Sequence, residues 1–300
     1  LSEDEAVLRD KIVAMSEPLS ALADVRFGIK IYETGKGTPP QKPTDAAEKV
    51  FEATTRLDVT YRPYLEGKDI DPYLTKWRKR WLKYGANLAA PRDPALFEGE
   101  RLVFRRIVGR KLIGTLLSEG FVTSQLLQIV RPRDGNSAKY LLGVLNSSLA
   151  AFIFRKTYNR AEKTFPEIRV YELASLPVRR LAVSSKSDRA QHDALVSHVE
   201  RMLKLHEDLA AAKAPDALTR LQREIAATDR TIDQLVYQLY GLTPEEIALV
   251  EAATAPATKT ADNETEPVIP PKPPAAGYSQ AELDASKVYF GVQEEPPKTE

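Results

Sequence analysis

Asp58, Glu66 and Lys68 come nearest, by type and spacing, to a hydrolytic centre. Metal-dependent cleavage of a phosphodiester needs two carboxylates and a lysine around the scissile phosphate. Glu66-Gly67-Lys68 has the Glu-x-Lys form, with Asp58 eight residues upstream. So short a pattern arises by chance in most chains of this length, and a stand-alone metal-dependent nuclease stands only as an alternative. GIKIYETGKGTPP, from Gly28 to Pro40, raises a second possibility, a phosphate-gripping loop. A Walker A loop needs Gly, four residues, then Gly-Lys-Ser/Thr, so that backbone N–H groups wrap a triphosphate. Here six residues separate Gly28 from Gly35, Gly37 follows Lys36, and nothing completes Gly-x-Gly-x-x-Gly. The stretch is not a nucleotide loop.

Other chemistries fail on their own requirements. Asp71-Pro72-Tyr73 approaches the Asn-Pro-Pro-Tyr-like loop of a DNA amino-methyltransferase, but it lacks the Asn amide and the second proline. No Gly-rich S-adenosylmethionine loop accompanies it, so methyl-transfer chemistry is not expected in this chain. His192, His198 and His206 miss the i, i+4 ligand spacing, and no metal site is expected. The chain has no cysteine, which excludes thiol nucleophiles and zinc–thiolate sites. No Gly-x-Ser-x-Gly elbow is present. No catalytic residue is therefore assigned.

The elements that must position any site fall into four parts over 300 residues. EDEAVLRDKIVAM (3–15) reads as a short helix broken at Pro18, and 1–18 is expected to be a helix or linker from a preceding domain. Residues 19–180 mix short apolar runs, RLVFRRIV (101–108), LIGTLL (112–117) and QLLQIV (125–130), that read as strands. Within them KYLLGVLNSSLAAFIF (139–154) reads as one long buried helix. The expectation for this part is an α+β domain with a mixed sheet.

From 188 to 252 the pattern changes. Leu218, Leu221, Ile225, Thr228, Ile232, Leu235 and Leu239 follow steps of three and four, as do Leu195, Val199, Met202, His206 and Leu209. That is a heptad seam, and Ala-Pro at 214–215 folds it into an antiparallel, coiled-coil-like helical hairpin. Gly241 ends the second helix, and Thr243-Pro244-Glu245-Glu246 begins a last short helix as a capping box. Residues 253–300, rich in Pro, Ala, Thr, Lys and Glu, read as a mostly disordered tail.

A formal charge of +1 hides a segregation. Between Arg62 and Lys111 lie thirteen basic and six acidic residues, while the segment after Val250 is acidic. Clustered basic charge is the footprint of a polyanion-binding face, and equally of a solvated surface. No apolar run approaches the roughly 20 residues of a membrane-spanning helix. A soluble, cytoplasmic protein without a membrane partner is expected, and the start at Leu1 suits a piece of a longer chain.

Set in order, LSALADVRFGIKIYETGKGTPP, RPYLEGKDIDPY, WLKYGANLAAPRDPALFEGERLVFRRI, FVTSQLLQIV, YLLGVLNSSLAAFIFRK, TFPEIRVYELASLPV and VYQLYGLTPEEIALVE resemble the TaqI-like C-terminal specificity domain. Such domains follow the catalytic domain of adenine-specific DNA methyltransferases, including single-chain, type IIG-like restriction–modification enzymes. The resemblance covers about residues 19–180, with the hairpin also typical. Glu66 departs from it, since the family more often has a basic or neutral residue before Gly-Lys-Asp.

The resemblance implies a non-catalytic target-recognition domain holding duplex DNA against an N-terminal methyltransferase domain or subunit. The parent catalytic domains would use S-adenosylmethionine, with Mg a further candidate, and this chain no cofactor. A specificity subunit acting in trans is the other arrangement. For DNA binding the implied residues begin with Lys30, Tyr32 and Lys36, in a loop whose glycines would let backbone amides approach phosphates. Lys68, Arg78 and Lys79 would position phosphates, with Arg80 and Lys83 in the same Trp-interleaved segment, and a solvated helix face is the alternative for all five. Arg105 and Arg106 are adjacent in an expected strand, so their side chains point to opposite faces. One could read guanine, and the other would need an acid or carbonyl partner. Ser124 and Gln125 follow a turn, where a glutamine amide can read adenine. A tyrosine packed beneath its own loop and polar groups satisfied by backbone are equal alternatives for Tyr32, Ser124 and Gln125.

Overall fold

The apolar runs expected as strands are strands, and their pleat divides the core in two. The computed structural model describes residues 1–158, 167–182 and 184–255. In chain order the principal elements are α1 (Glu3–Ala14), β1 (Ala23–Phe27), β2 (Glu52–Ala53), β3 (Tyr61–Leu65), β4 (Trp81–Lys83), β5 (Arg101–Arg105), β6 (Gly114–Leu117), β7 (Val122–Thr123) and β8 (Leu127–Pro132). Helices α2 (Ala138–Leu145), α3 (Ser148–Thr157), α4 (Lys186–Ala211), α5 (Pro215–Leu239) and α6 (Pro244–Thr254) follow. The architecture is α+β.

One antiparallel sheet has the order β1-β8-β5-β6, and a second has the order β7-β3-β4-β2 with β7 parallel to β3. Because successive strand residues point to opposite faces, Leu102, Phe104 and Val130 of the first sheet enter a core shared with the helices. Val103, Leu127 and Ile129 enter a separate core against the second sheet. The first sheet is thus the middle layer, with helices on one face and the second sheet on the other.

The expected single helix over 139–154 is two helices. Ser147 caps α3, its Oγ accepting from the Ala150 amide at 3.2 Å. The Asn146 side chain turns to β6, accepting from the Gly114 amide at 3.0 Å and donating to its carbonyl at 2.9 Å. The amide of Ser148 donates to Asp233 Oδ1 at 2.8 Å and its hydroxyl to Oδ2 at 2.7 Å. Lys111 closes the same carboxylate at 2.8 Å, tying α5 to the sheet. Helix propensity cannot see these long-range partners.

The hairpin forms as expected, from α4 and α5, and it packs on α2. Gly143 makes that packing possible, since a Cβ there would lie 2.9 Å from Val199 Cγ2. Gly241 sits at φ 58°, and the Thr243–Glu246 capping box opens α6. Helix α1, expected as a helix or linker, packs into the helical core through Leu8 and Ile12. Its Lys11 donates to the Gly241 carbonyl at 2.8 Å and meets Glu246 at 2.6 Å. Residues 1–255 form one compact unit. The expected tail is helical to Thr254, and its remainder, from residue 256, lies outside the described residues.

Candidate nucleic-acid interface

Asp69 organises the basic segment from inside. It is fully buried in a short turn (Gly67–Asp69) after β3, and its Oδ2 accepts from the Glu66 amide at 2.7 Å. Arg78 Nε donates to Asp69 Oδ1 at 2.7 Å, and Arg80 Nη2 to Oδ2 at 2.6 Å. Arg80 also bonds Glu66 through Nη1 at 2.7 Å and lies 5.2 Å from the Tyr64 ring centre. Glu52 stands at the rim of this network, 4.0 Å from Arg80, and burial raises its carboxyl above the usual range. Arg80 is therefore a framework cation. Arg78 uses one nitrogen in that framework while its side chain stays 51% exposed.

The segment's net charge overstates its surface charge for a second reason. Arg101 of β5 is wholly buried, donating to the carbonyls of Gly99 at 2.8 Å, Glu119 at 2.9 Å and Phe121 at 2.8 Å. Burial, with Arg131 adding to it and Glu98 opposing it, pulls its guanidinium down to about 10. What remains outside includes four lysines. Lys36, Lys68, Lys79 and Lys83 are exposed and make no ion pair among the described residues. Lys79 occupies a left-handed position, φ 54°, at the tip of the turn held by its neighbours Arg78 and Arg80.

Main-chain bonds gather one group of the expected residues at the ends of β3, β5 and β7. Ser124 N donates to Leu65 O at 3.0 Å, Gln125 N to Ile29 O at 2.8 Å, and Arg106 N to Leu126 O at 2.9 Å. Gln125, Arg105 and Arg106 thereby meet at the end of β3, and the Gly67–Asp69 turn that follows β3 carries Lys68 and binds Arg78, the neighbour of Lys79. Arg105 shares its face with Val103, turned toward the second sheet, and is half-buried with no ion pair among the described residues. Arg106 lies one residue beyond the strand and takes the acid partner expected for one of the pair, Glu167, at 2.9 Å. Ser124 is buried, its Oγ accepting from the Leu126 amide at 3.2 Å, so it braces the junction rather than facing solvent.

The opening loop starts in that junction, at Gly28 and Ile29, and leaves it beyond them. Gly28 admits the close approach of two backbones, since a Cβ there would fall 2.0 Å from Thr123 O. Gly35 and Gly37 adopt φ 79° and 82°, the left-handed region that favours glycine. The amides of Gly35 and Lys36 are spent on the carbonyls of Gln41 and Glu33 at 2.9 and 3.0 Å, which corrects the expectation that they approach phosphates. Buried Gln41 closes the loop, donating to Ile31 O and Asn87 O and accepting from Glu33 N. Lys30 is half-buried against Glu33 at 2.8 Å. Tyr32 is packed beneath its loop, its ring stacked on Phe51 at 5.5 Å and its oxygen accepting from Phe51 N at 3.2 Å. Burial pushes that phenol up to about 12. Of Lys30, Tyr32 and Lys36, Lys36 alone is exposed, and a bond from Thr38 N to Ala86 O, 2.8 Å, sets the loop beside the segment after Lys83.

The residues of the nuclease alternative do not meet. Asp58 precedes β3 and Glu66 follows it, so a strand rising about 3.3 Å per residue stands between them. Asp58 holds its own turn by accepting from Thr60, and Glu66 is taken by Arg80. Among the described residues no cluster of three metal-ligating side chains forms. Gln41 and Asp69 left no signal that spacing could read, because each acts through backbone groups or through residues it meets only in the fold.

Residues 62–178 match the model of the TaqI-like C-terminal specificity domain. No curated protein matches the chain. Among solved structures, the type IIL restriction–modification enzyme MmeI, in complex with DNA, aligns at 12% identity and a TM-score of 0.45, covering 79% of this chain and 35% of that one. The type IIG restriction endonuclease BpuSI aligns at 12% identity and 0.43, covering 80% and 34%. The HsdS subunit from Thermoanaerobacter tengcongensis aligns at 14% identity and 0.35, covering 83% and 50%. The chain spans about a third of the length of the first two. Residues 62–178, which contain the Asp69 framework and the strand-end junction, belong to the TaqI-like C-terminal specificity domain family.

Proposed function

We propose that this chain recognises duplex DNA for a restriction–modification system, as the non-catalytic specificity part of an adenine-specific DNA methyltransferase. The observation that carries this reading is the strand-end junction inside the matched segment, where main-chain bonds hold Arg105 and Gln125 at the end of β3 and the turn that follows β3 carries Lys68 and, through Asp69, fixes Arg78. Phosphates attract cations of any sequence context, whereas base edges require donors in fixed places. The junction offers both kinds of group. Lys68 and Lys79 stand outward on a turn stiffened by Asp69, and Arg105 and Gln125 stand at the ends of paired backbone. Arginine bonds the two guanine acceptors in the major groove, and glutamine the adenine pair.

In this reading base flipping and methyl transfer belong to an N-terminal methyltransferase domain or subunit, which would bind S-adenosylmethionine. The test is binding of the full chain to random duplex DNA across a salt series, with and without magnesium. Recognition predicts an affinity falling steeply and linearly with log salt, and intact DNA in both conditions. No binding at low salt would sink the reading for this chain, and magnesium-dependent cleavage would replace it with the nuclease.

A further inference from the structure

Exposed apolar side chains are ordinary when scattered singly. Here Val50, Leu57 and Val59 are 42, 64 and 85% exposed within one short segment. That segment is a crossover. β2 pairs with β4 on one side, Ala53 opposite Trp81, and β3 pairs with it on the other, Tyr61 opposite Lys83. Residues 54–60 must therefore pass across β4, from its Trp81 end to its Lys83 end.

The crossover is fixed along its length. At its base the Phe51 ring stacks on Tyr32. In the middle Arg56 lies 6.0 Å from the Trp81 ring centre and donates to Asp58 O at 3.3 Å. Asp58 Oδ1 accepts from the amide and hydroxyl of Thr60 at 2.7 and 2.5 Å. Tyr84 N donates to Thr60 O at 3.0 Å. Apolar side chains on a turn already held this way lose little freedom when they meet a partner. Around them stand cations: Arg56 within the turn, Lys83 at one end of β4 and Lys79 just before the other.

We propose that Leu57 and Val59 are an apolar reading tip of the DNA interface, entering a groove against base edges while Arg56, Lys79 and Lys83 hold the flanking phosphates. The inference rests on the DNA-recognition reading and adds to it a contact that no hydrogen-bonding group supplies. Aliphatic side chains recognise the thymine C5-methyl group in the major groove. In the minor groove they wedge between base steps. Both contacts report A·T content by shape. The crossover lies before residue 62, outside the family match, so nothing in the match accounts for these side chains.

The test compares the full chain with a Leu57→Ala, Val59→Ala double variant in selection from a random duplex pool. Affinity of each is then measured on the duplex that the wild type enriches. The double variant should bind that duplex about tenfold more weakly, the scale of one mismatched base pair. It should also lose preference at one or two adjacent A·T positions, with the slope of log affinity against log salt unchanged. Leu57→Met with Val59→Ile, which keeps the apolar volume, should restore the preference. The same motif at the same affinity in the double variant overturns the inference while leaving DNA recognition standing. A wild type that binds no DNA removes both.

Discussion

Arg80 closes on Asp69 at 2.6 Å and on Glu66 at 2.7 Å, and this buried pairing, rather than an exposed cation, shapes the basic face. Removing one member of a buried ion pair leaves the others without a counter-charge, at a cost of about 3–5 kcal/mol. Arg80→Ala should therefore destabilise the chain by about 3 kcal/mol, the lower end of that range because Arg78 still meets Asp69. Urea unfolding measures it. An Arg80→Ala protein of wild-type stability with weakened DNA binding would make Arg80 a phosphate ligand instead.

The outward lysines predict the opposite pattern. Each lysine that neutralises a phosphate contributes about 0.9 to the slope of log affinity against log salt on duplex DNA. Lys68→Ala and Lys79→Ala should each lower that slope by about that amount. Neither should move the unfolding midpoint, because neither side chain has a protein partner among the described residues. An unchanged slope for both would remove the Asp69 turn from the interface.

Where function-bearing residues were legible, their partners were local; where they were not, their partners came from distant chain. The hairpin and its capping box follow from steps of three and four and from Thr243 and Glu246, so they stand where the pattern puts them. The split between α2 and α3 depends on Asn146 meeting Gly114 and Ser148 meeting Asp233, contacts across dozens of residues that no window contains. Arg78, Lys79 and Arg80 are consecutive and equally basic, yet Asp69 draws the outer two inward and leaves the middle one out. Charge counting cannot make that distinction. The pairing of Arg106 with an acid was legible as a need, from strand alternation, although not as Glu167.

Gly28 carries a prediction about the junction itself. Its missing side chain lets Ile29 donate to Thr123 O at 2.8 Å while Gly28 donates to Leu127 O at 3.2 Å. A methyl group at Gly28 would overlap Thr123 O and Ser124 O, both backbone atoms that cannot swing aside. Overpacking usually costs about 1–3 kcal/mol, and a rigid neighbour places the cost at the upper end. Gly28→Ala should lose about 3 kcal/mol of stability, whereas Gly99→Ala, which has open space but φ 69°, should lose less, about 1 kcal/mol. Paired thermal melts decide the order, and equal losses would show that the junction yields.

His206 of α4 stacks on Tyr73 at 6.1 Å, joining the hairpin to the turn between Ile70–Asp71 and Leu74–Thr75. Burial lowers its imidazole below the ordinary 6.5, Asp71 and Asp229 oppose that shift, and Lys76 adds to it. The folded protein therefore favours neutral His206, and the unfolded chain takes up the proton first as pH falls. Stability held by the neutral ring is fully present above pH 6.5 and declines below it toward the lowered folded value. Carboxylates also titrate in acid, so the informative quantity is a difference between proteins. Melting temperature should drop more between pH 7.5 and 5.5 for the wild type than for His206→Gln, which cannot take up the proton. Equal drops would mean that the stacked ring accepts its proton without loss, and the hairpin contact would then carry no pH dependence.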